Sequence, residues 1–203
     1  MHNHVDINSF YPSNKILLKK KYKISNKKII IFGSENVSAE YKGFDLFLKS
    51  LKYLNKKKIL ILIFGKLWNF EDIKKTGFDY RYLGYLDKKT LKDIYAMGDV
   101  FAIPSVQDAF PKTFAEAMLC ECPVVAFKKT SISEINLHKK SGYNANYKNP
   151  KDFAKGINYV FKNSKKLGKF ARKNYLKKYH PNKITKNYIK LYNSILKNNE
   201  FNK

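Results

Sequence analysis

The chain has 203 residues, of which 44% are hydrophobic, and a formal net charge of +25 from 41 Lys and Arg against 16 Asp and Glu. This length fits one α/β domain with a helical tail, and the apolar content excludes a globally disordered chain. The apolar runs at 59–64 and 123–127 are too short to span a bilayer.

The positive charge comes almost entirely from lysine, because Arg81 and Arg172 are the two arginines of the chain. Three explanations stay open. Lys, Asn, Ile, Tyr and Phe are all plentiful, which indicates a compositional bias, whereas the Lys-rich stretches 15–28 and 162–178 could meet acidic lipid. Binding to nucleic acid is the third explanation. No specific nucleic-acid partner is expected, because bases and phosphates are recognised better by the guanidinium of Arg, with its paired donors, than by the ammonium of Lys.

Cys120 and Cys122 form a C-x-C pair with no second pair, which is typical of neither a zinc site nor a disulfide framework. Their apolar neighbours predict packed, reduced cysteines, and no basic–apolar–small signal peptide opens the chain. We therefore expect a cytoplasmic protein, with peripheral contact at the inner membrane face as a secondary expectation.

Apolar strands and amphipathic helices alternate after a polar, Lys-rich opening segment at 1–27. Strands are predicted at 28–33, 58–65, 80–84, 99–103 and 123–127, and the apolar runs at 28–33, 58–65 and 123–127 are typical of buried strands. Helices are predicted near 44–54, 88–97, 112–120, 131–137, 150–162, 164–178 and 182–197, with Pro181 before the last.

This alternation predicts an α/β fold with a Rossmann-like parallel sheet and helices on both faces. The domain is predicted to cover 28–180, and 181–203 to form a C-terminal helix and tail. Ligands of such sheets bind beyond the carboxyl ends of the strands. The loops after Gly33, Gly65, Gly84, Pro104 and Phe127 should therefore meet at one crevice.

The most informative motif is PSVQDAFPKTFAEAM at 104–118, where a strand ends, a polar turn follows and a helix begins near Lys112. Asp108 lies in the turn and Glu116 about one turn inside the helix. By spacing alone, an acid at this place can simply interact with the helix dipole. Alternatively, the first helical amides hold phosphate while both carboxylates accept hydrogen bonds from sugar hydroxyls.

Together with PVVAF at 123–127, this motif resembles the core of the family 4 retaining glycosyltransferases, which have the GT-B fold and carry two glutamates separated by seven residues. Similarity extends over about 2–198, through Lys42-Gly43-Phe44 and Tyr82-Leu83-Gly84 to Glu134, Gly142 and Tyr143. The segment 1–27 resembles the connection between the two GT-B domains, and the remainder resembles the C-terminal, nucleotide-sugar-binding domain. Bacterial transferases that build surface polysaccharide and lipopolysaccharide are the most similar.

The resemblance implies a site for a nucleotide-diphospho-sugar, with UDP and GDP both open. Glu116 would hold the ribose hydroxyls, Asp108 would contact the sugar near the reacting carbon, and Lys42 would neutralise the leaving diphosphate. Asp108 and Lys42 would thus be the catalytic residues. Further donor contacts are implied for Gly33, Gly84, Tyr85, Phe110, Pro111, Lys112 and Thr113. No metal or other cofactor is expected, because the sequence holds no ligand cluster and a GT-B enzyme needs none.

The sequence departs from the family pattern at several positions. Asp108 replaces the first glutamate, Glu121 replaces a glycine after the hallmark helix, Lys129-Thr130 replaces a glycine pair, and 34–36 lacks a common arginine. Because Met1 directly precedes the segment that resembles the connection between the domains, we expect the acceptor-binding half of a GT-B enzyme to be missing from this sequence. A truncated or decayed gene, a two-chain enzyme and a fragment of a longer protein all remain open as explanations. Two hypotheses follow: a donor-binding half that transfers sugar to a glycan or lipid-linked acceptor, with a separate acceptor-domain chain, or a catalytically silent truncated module that binds a partner chain.

Overall fold

The computed structural model describes residues 5–24, 26–108 and 111–200, in which strands and helices alternate. In chain order these elements are α1 (Lys15–Lys21), β1 (Lys28–Asn36), α2 (Phe44–Leu51), β2 (Ile59–Lys66), α3 (Glu71–Lys75), β3 (Asp79–Tyr82), α4 (Lys88–Met97), β4 (Val100–Ile103), α5 (Lys112–Leu119), β5 (Val124–Phe127), α6 (Ser131–Ile135), β6 (Gly142–Ala145), α7 (Pro150–Tyr179) and α8 (Pro181–Glu200).

The strands form one parallel sheet in the order β3-β2-β1-β4-β5-β6. This confirms the predicted Rossmann-like fold with its helical C-terminal tail. The chain leaves β1 in one direction to build β2 and β3 and in the other to build β4, β5 and β6. The loops after β1 and β4 therefore diverge, and a crevice opens between them, which is where sheets of this type bind their ligands.

Alternate residues of the central strands face two separate apolar layers, because successive side chains of a strand point to opposite faces. Ile29 and Ile31 pack in one layer with α1, α4, α5 and α6, whereas Ile30 and Phe32 pack in the other with α2 and α3. Burial on both faces explains the unbroken apolar sequence at 29–32 in β1 and at 59–64 in β2.

Helix α7 is one helix of 30 residues, so the prediction of two helices at 150–162 and 164–178 is wrong. Its apolar side chains continue through the predicted break: Phe153, Ile157, Val160 and Leu167 pack in the layer with α2, and Ala171 and Tyr175 in the layer with α5. Asn163 is a weak helix former but lies within α7. Its side-chain amide donates a hydrogen bond to the Tyr159 carbonyl at 2.8 Å.

The described part of the opening segment packs onto the sheet domain. Val5, Phe10, Leu18 and Ile24 are buried in the layer formed with α4 and α5. Helix α1 begins at Asn14, whose side chain accepts hydrogen bonds from the amides of two α1 residues. Lysine-rich composition hides this short helix from sequence analysis, because a single buried residue, Leu18, anchors it.

The cysteines are packing residues, as predicted. Cys120 and Cys122 are both buried and unpaired. Burial raises the pKa of Cys122 to about 12 and also raises the pKa of Cys120, so both thiols stay protonated at neutral pH.

Candidate functional site

The loops that follow β1 and β4 contact each other at the crevice. The amide of Val106 donates to the carbonyl of Tyr41 at 2.9 Å. Between them, Gly43 has a left-handed backbone with φ of 72°, and a Cβ at this position would lie 2.2 Å from the carbonyl oxygen of Pro104. Only glycine fits there, and its close approach brings Lys42 beside the loop that carries Asp108.

Lys42 and Asp108 form an ion pair, with Nζ 2.6 Å from Oδ2. The two side chains are only 19% and 12% exposed, respectively, so the pair is partly shielded from solvent. The Asp108 backbone is held in turn by Ser131, whose hydroxyl donates to the Asp108 carbonyl at 2.6 Å. Two residues that the sequence assigns to catalysis are thus adjacent.

A small cleft surrounds this pair at the carboxyl ends of β1 and β4. Its lining includes five of the predicted donor-site residues, Gly33, Lys42, Asp108, Pro111 and Thr113. Phe110 lies outside the described residues. Lys112 is exposed at the start of α5, beside the cleft.

The start of α5 is available to an anion. Pro111 occupies the N-cap position, has no backbone N–H to donate, and makes no side-chain capping bond. The first amides of a helix lack partners within the helix and carry partial positive charge. The amides of Lys112 and Thr113 therefore add donors next to the Lys42 ammonium group.

Glu116 has different neighbours from Asp108 and does not line this cleft. The Tyr95 hydroxyl donates to Glu116 Oε2 over a long 3.4 Å. Burial raises the pKa of Glu116 to about 7, although Tyr95, Lys112 and Lys88 each act to lower it. The two hallmark carboxylates therefore belong to separate environments, one salt-bridged and one desolvated.

Gly84 and Tyr85 lie where β3 ends, at the same edge of the sheet but outside the cleft lining. The carbonyl of Gly84 accepts from the amide of Gly65 at 2.7 Å, and the ring of Tyr85 is 69% exposed. A Cβ on Gly84 would meet nothing within 4 Å, so this turn has open space around it.

Two serines in the cleft were not singled out as site residues. Ser34 and Ser105 both line it, and the Ser34 hydroxyl is buried without a hydrogen-bond partner in the described part of the chain. Unpaired buried hydroxyls are uncommon in folded proteins. Ser34 follows Gly33 and Ser105 follows Pro104. Each serine therefore lies next to a predicted strand end, and this position could have identified it as a site residue.

Two of the positions where the sequence departs from the family pattern have a left-handed backbone. Glu121 has φ of 60° and Lys129 has φ of 61°. Side chains with a Cβ are strained in this region, where glycine is favoured.

Over residues 5–24, 26–108 and 111–200, no group of three or more His, Cys, Asp and Glu side chains is arranged to hold a metal ion. No helix in those ranges combines the length and apolar character needed to cross a bilayer.

The sequence model of the family described as "Glycosyl transferases group 1" matches residues 14–177. One similar curated protein is the N,N'-diacetylbacillosaminyl-diphospho-undecaprenol alpha-1,3-N-acetylgalactosaminyltransferase of Campylobacter jejuni, which is 25% identical over 203 residues. That match takes in 96% of this chain and 53% of the Campylobacter protein, so the chain spans about half the length of this relative.

Solved structures show the same fold. The Anabaena protein HepE in complex with UDP-glucose has a TM-score of 0.82 at 19% identity, over 96% of this chain and 57% of that one. The C-terminal domain of the glycosyl transferase group 1 family protein LpcC from Francisella tularensis has a TM-score of 0.74 at 22% identity. The latter match takes in 86% of this chain and 98% of the LpcC domain.

Proposed function

Since the chain belongs to the glycosyl transferases group 1 family, we propose that it is the donor-binding half of a retaining glycosyltransferase. It binds a nucleotide-diphospho-sugar with UDP or GDP as the nucleotide. The sugar passes to a glycan or lipid-linked acceptor during synthesis of surface polysaccharide or lipopolysaccharide. The UDP-glucose bound by HepE and the lipid-linked substrate named for the Campylobacter relative support this class of donor and acceptor.

One observation carries the proposal: Lys42, Asp108 and the uncapped start of α5 meet at the crevice between β1 and β4. Ammonium and amide groups suit a diphosphate, and a carboxylate suits sugar hydroxyls. When a donor enters, its diphosphate takes the Lys42 ammonium group from Asp108. The freed Asp108 carboxylate then accepts hydrogen bonds from the sugar.

The chemistry of the donor matches these groups. As the bond between the anomeric carbon and the diphosphate oxygen breaks, the sugar ring gains positive charge and the nucleoside diphosphate gains negative charge. Lys42 and the amides of Lys112 and Thr113 stabilise the leaving diphosphate, and one well-placed donor of this kind is worth about 3 kcal/mol. The Ser34 hydroxyl offers a further hydrogen bond to the phosphate oxygens.

Glu116 binds the ribose of the donor. Glu116 does not line the cleft that holds Lys42 and Asp108, which assigns it to the nucleoside and leaves Lys42 for the diphosphate. Ribose hydroxyls would donate hydrogen bonds to the Glu116 carboxylate. These bonds would offset the free-energy cost of burying its charge, which raises its pKa. The open turn at Gly84 and Tyr85 borders the base.

A catalytically silent module that binds a partner chain is the second candidate. Ile189, Tyr192 and Leu196 recur at helical spacing on α8 and are 52%, 59% and 61% exposed. Such apolar side chains would be covered by a partner surface. In the transferase proposal, a separate acceptor-domain chain is a candidate for the same contact.

Calorimetry with UDP-glucose and GDP-mannose tests donor binding by the whole chain. We expect binding of one nucleotide class, a loss of about tenfold or more in Glu116→Ala through the ribose, and a similar loss in Lys42→Met through the diphosphate. Equal binding by the parent and both variants would contradict the assigned site.

Transfer is measured separately, after isolation of the protein from its native cells. Release of the nucleoside diphosphate by a stable complex with an acceptor-domain chain supports the transferase. A complex that binds no nucleotide-sugar and releases no nucleoside diphosphate supports the silent module.

A further inference from the structure

A lysine-rich surface lies at the amino ends of the strands, opposite the donor cleft. It is formed by α1 together with the middle of α7, and Lys28 at the start of β1 completes it. Three neighbouring grooves share residues here: Ile16 borders two of them, and Lys165 and Lys169 border another two. The surface is therefore continuous. We call it the basic face and define it by Lys20, Lys28, Lys162, Lys165, Lys166 and Lys169.

Within the ranges that the structure describes, few acidic groups compensate the charge of the basic face. Eight described lysines line the three grooves, against two described acids, Asp99 and Glu121. Asp99 is already bound to Lys15, with Nζ at 2.7 Å. In the described ranges, none of the six lysines of the basic face makes an ion pair or a side-chain hydrogen bond, whereas neighbouring Lys15, Lys19 and Lys21 all do.

Helix α1 exposes two large aliphatic side chains, Ile16, which borders two of the grooves, and its neighbour Leu17. Ile16 is 80% exposed and Leu17 is 63% exposed. Helix α1 holds them in place, because Leu18 packs in the core and Asn14 caps the helix. The apolar pair is thus presented by a fixed element beside free ammonium groups, a combination that suits the interface of a bilayer.

The arginines argue against nucleic acid as the ligand of this face. Arg81 donates to the carbonyls of Tyr22 and Lys23, and Arg172 donates to the carbonyl of Leu119. Both guanidinium groups are committed to the fold. The basic face therefore offers lysine point charges and aliphatic side chains, without the forked donors that read bases.

We propose that the basic face binds the surface of an anionic phospholipid bilayer, with the lysines on the lipid phosphates and Ile16 and Leu17 inserted between the headgroups. β1 runs from this face to the donor cleft over nine residues, which spans about 30 Å. The cleft and the basic face therefore lie at opposite ends of β1. Membrane binding and donor binding are separate properties of the chain, and one can fail without the other.

Vesicle flotation of the full chain tests the proposal, with phosphatidylcholine vesicles that contain either no phosphatidylglycerol or about one third of it. We expect binding to the anionic vesicles alone, decreasing as salt increases. Lys165→Glu/Lys166→Glu/Lys169→Glu should lower the partition coefficient at least fiftyfold, since each lysine contributes about fivefold. Ile16→Ser/Leu17→Ser should lower it about tenfold while leaving the charge unchanged.

The matched control is Lys148→Glu/Lys151→Glu/Lys155→Glu, which changes the net charge equally but alters exposed lysines near the other end of α7. It should bind vesicles within about threefold of the parent. Circular dichroism checks that each variant is folded, and calorimetry with the nucleotide-sugar checks that donor binding persists. Equal losses in both triple variants, equal binding to neutral vesicles, or displacement of the chain from vesicles by duplex DNA at equal phosphate concentration would overturn the proposal.

Discussion

The ammonium group of Lys42 contacts the carboxylate of Asp108 at 2.6 Å, although 66 residues separate them in the chain. Each side chain therefore neutralises the charge of the other. A diphosphate that enters must compete with Asp108 for Lys42. The ion pair is both a preformed part of the site and an obstacle to binding.

Removing Asp108 should strengthen the binding of a nucleoside diphosphate that carries no sugar. In Asp108→Asn the Lys42 ammonium group loses its anionic partner, and we expect the affinity for UDP or GDP to rise about fivefold, which is about 1 kcal/mol. Lys42→Met should lower the same affinity about tenfold or more. Calorimetry at constant salt measures both variants.

The exposed pair of Asp45 and Lys49 provides the control, because their side chains are 60% and 61% exposed and lie on α2. Asp45→Asn should leave the diphosphate affinity unchanged, since exposed pairs contribute little. A lower affinity for UDP and GDP in Asp108→Asn would show that Asp108 does not compete for Lys42.

Donor binding should depend on pH through Glu116. Burial raises the pKa of Glu116 from 4.5 to about 7, so the carboxylate that accepts hydrogen bonds from ribose predominates above neutrality. We expect the affinity for the nucleotide-sugar to rise about tenfold between pH 6 and pH 8 as the deprotonated fraction increases. Calorimetry across this range tests it, with Glu116→Gln expected to show no such rise.

The same group makes stability depend on pH in the opposite sense. Because the pKa of Glu116 is higher in the folded state than in the unfolded chain, the folded state binds the proton more tightly. The contribution of protonated Glu116 is fully present below about pH 4.5 and is lost as the pH rises to about 7, by up to about 3 kcal/mol. Urea unfolding of the parent and of Glu116→Gln should diverge over this window; parallel curves would contradict the raised pKa.

Gly43 should tolerate no side chain. In Gly43→Ala the Cβ would meet the Pro104 carbonyl in a left-handed backbone, and we expect a loss of about 2–4 kcal/mol in the free energy of unfolding together with weaker donor binding. Gly84→Ala has a similar φ of 64° with open space around it, so its loss should stay near 1 kcal/mol. Denaturant unfolding compares them, and equal losses would indicate that Pro104 moves aside.

Glu121→Gly should stabilise the protein. Glu121 has φ of 60° after α5, and glycine removes the strain of that conformation. We expect a gain of about 1 kcal/mol, which corresponds to about 2–4 °C in Tm for a chain of this size. Glu121→Ala keeps the Cβ and should bring no gain, so a similar gain in both variants would attribute the effect to the lost carboxylate.

The parallel sheet was predictable because β1 and β2, which are buried on both faces, each contain an unbroken apolar run. Strand β6 was not predicted, since Gly142–Ala145 is short and contains polar Asn144. The break predicted near Asn163 was wrong, because α7 continues as one helix whose apolar side chains pack in both apolar layers. Sequence patterns record local preference, and these contacts come from distant parts of the chain.

For the candidate site too, the sequence identified individual residues, whereas their contacts required the structure. Asp108 and Glu116 were singled out because their motif resembles the family pattern, since their spacing alone also fits an interaction with the helix dipole. Lys42 was singled out by its place after the first strand and directly before Gly43. Their partners were not, because the pairing of Lys42 with Asp108 and of Glu116 with Tyr95 depends on how separate loops and helices pack. The unpaired hydroxyl of Ser34 likewise becomes visible only when its surroundings are known.

Helix α7 packs its first half in one apolar layer and its last turns in the other. Neither layer can melt while α7 remains docked on both, so the two sides of the sheet should lose structure in a single cooperative transition. Backbone amides in β1 and in α7 should consequently exchange with solvent hydrogen at similar, slow rates, as members of one folding unit.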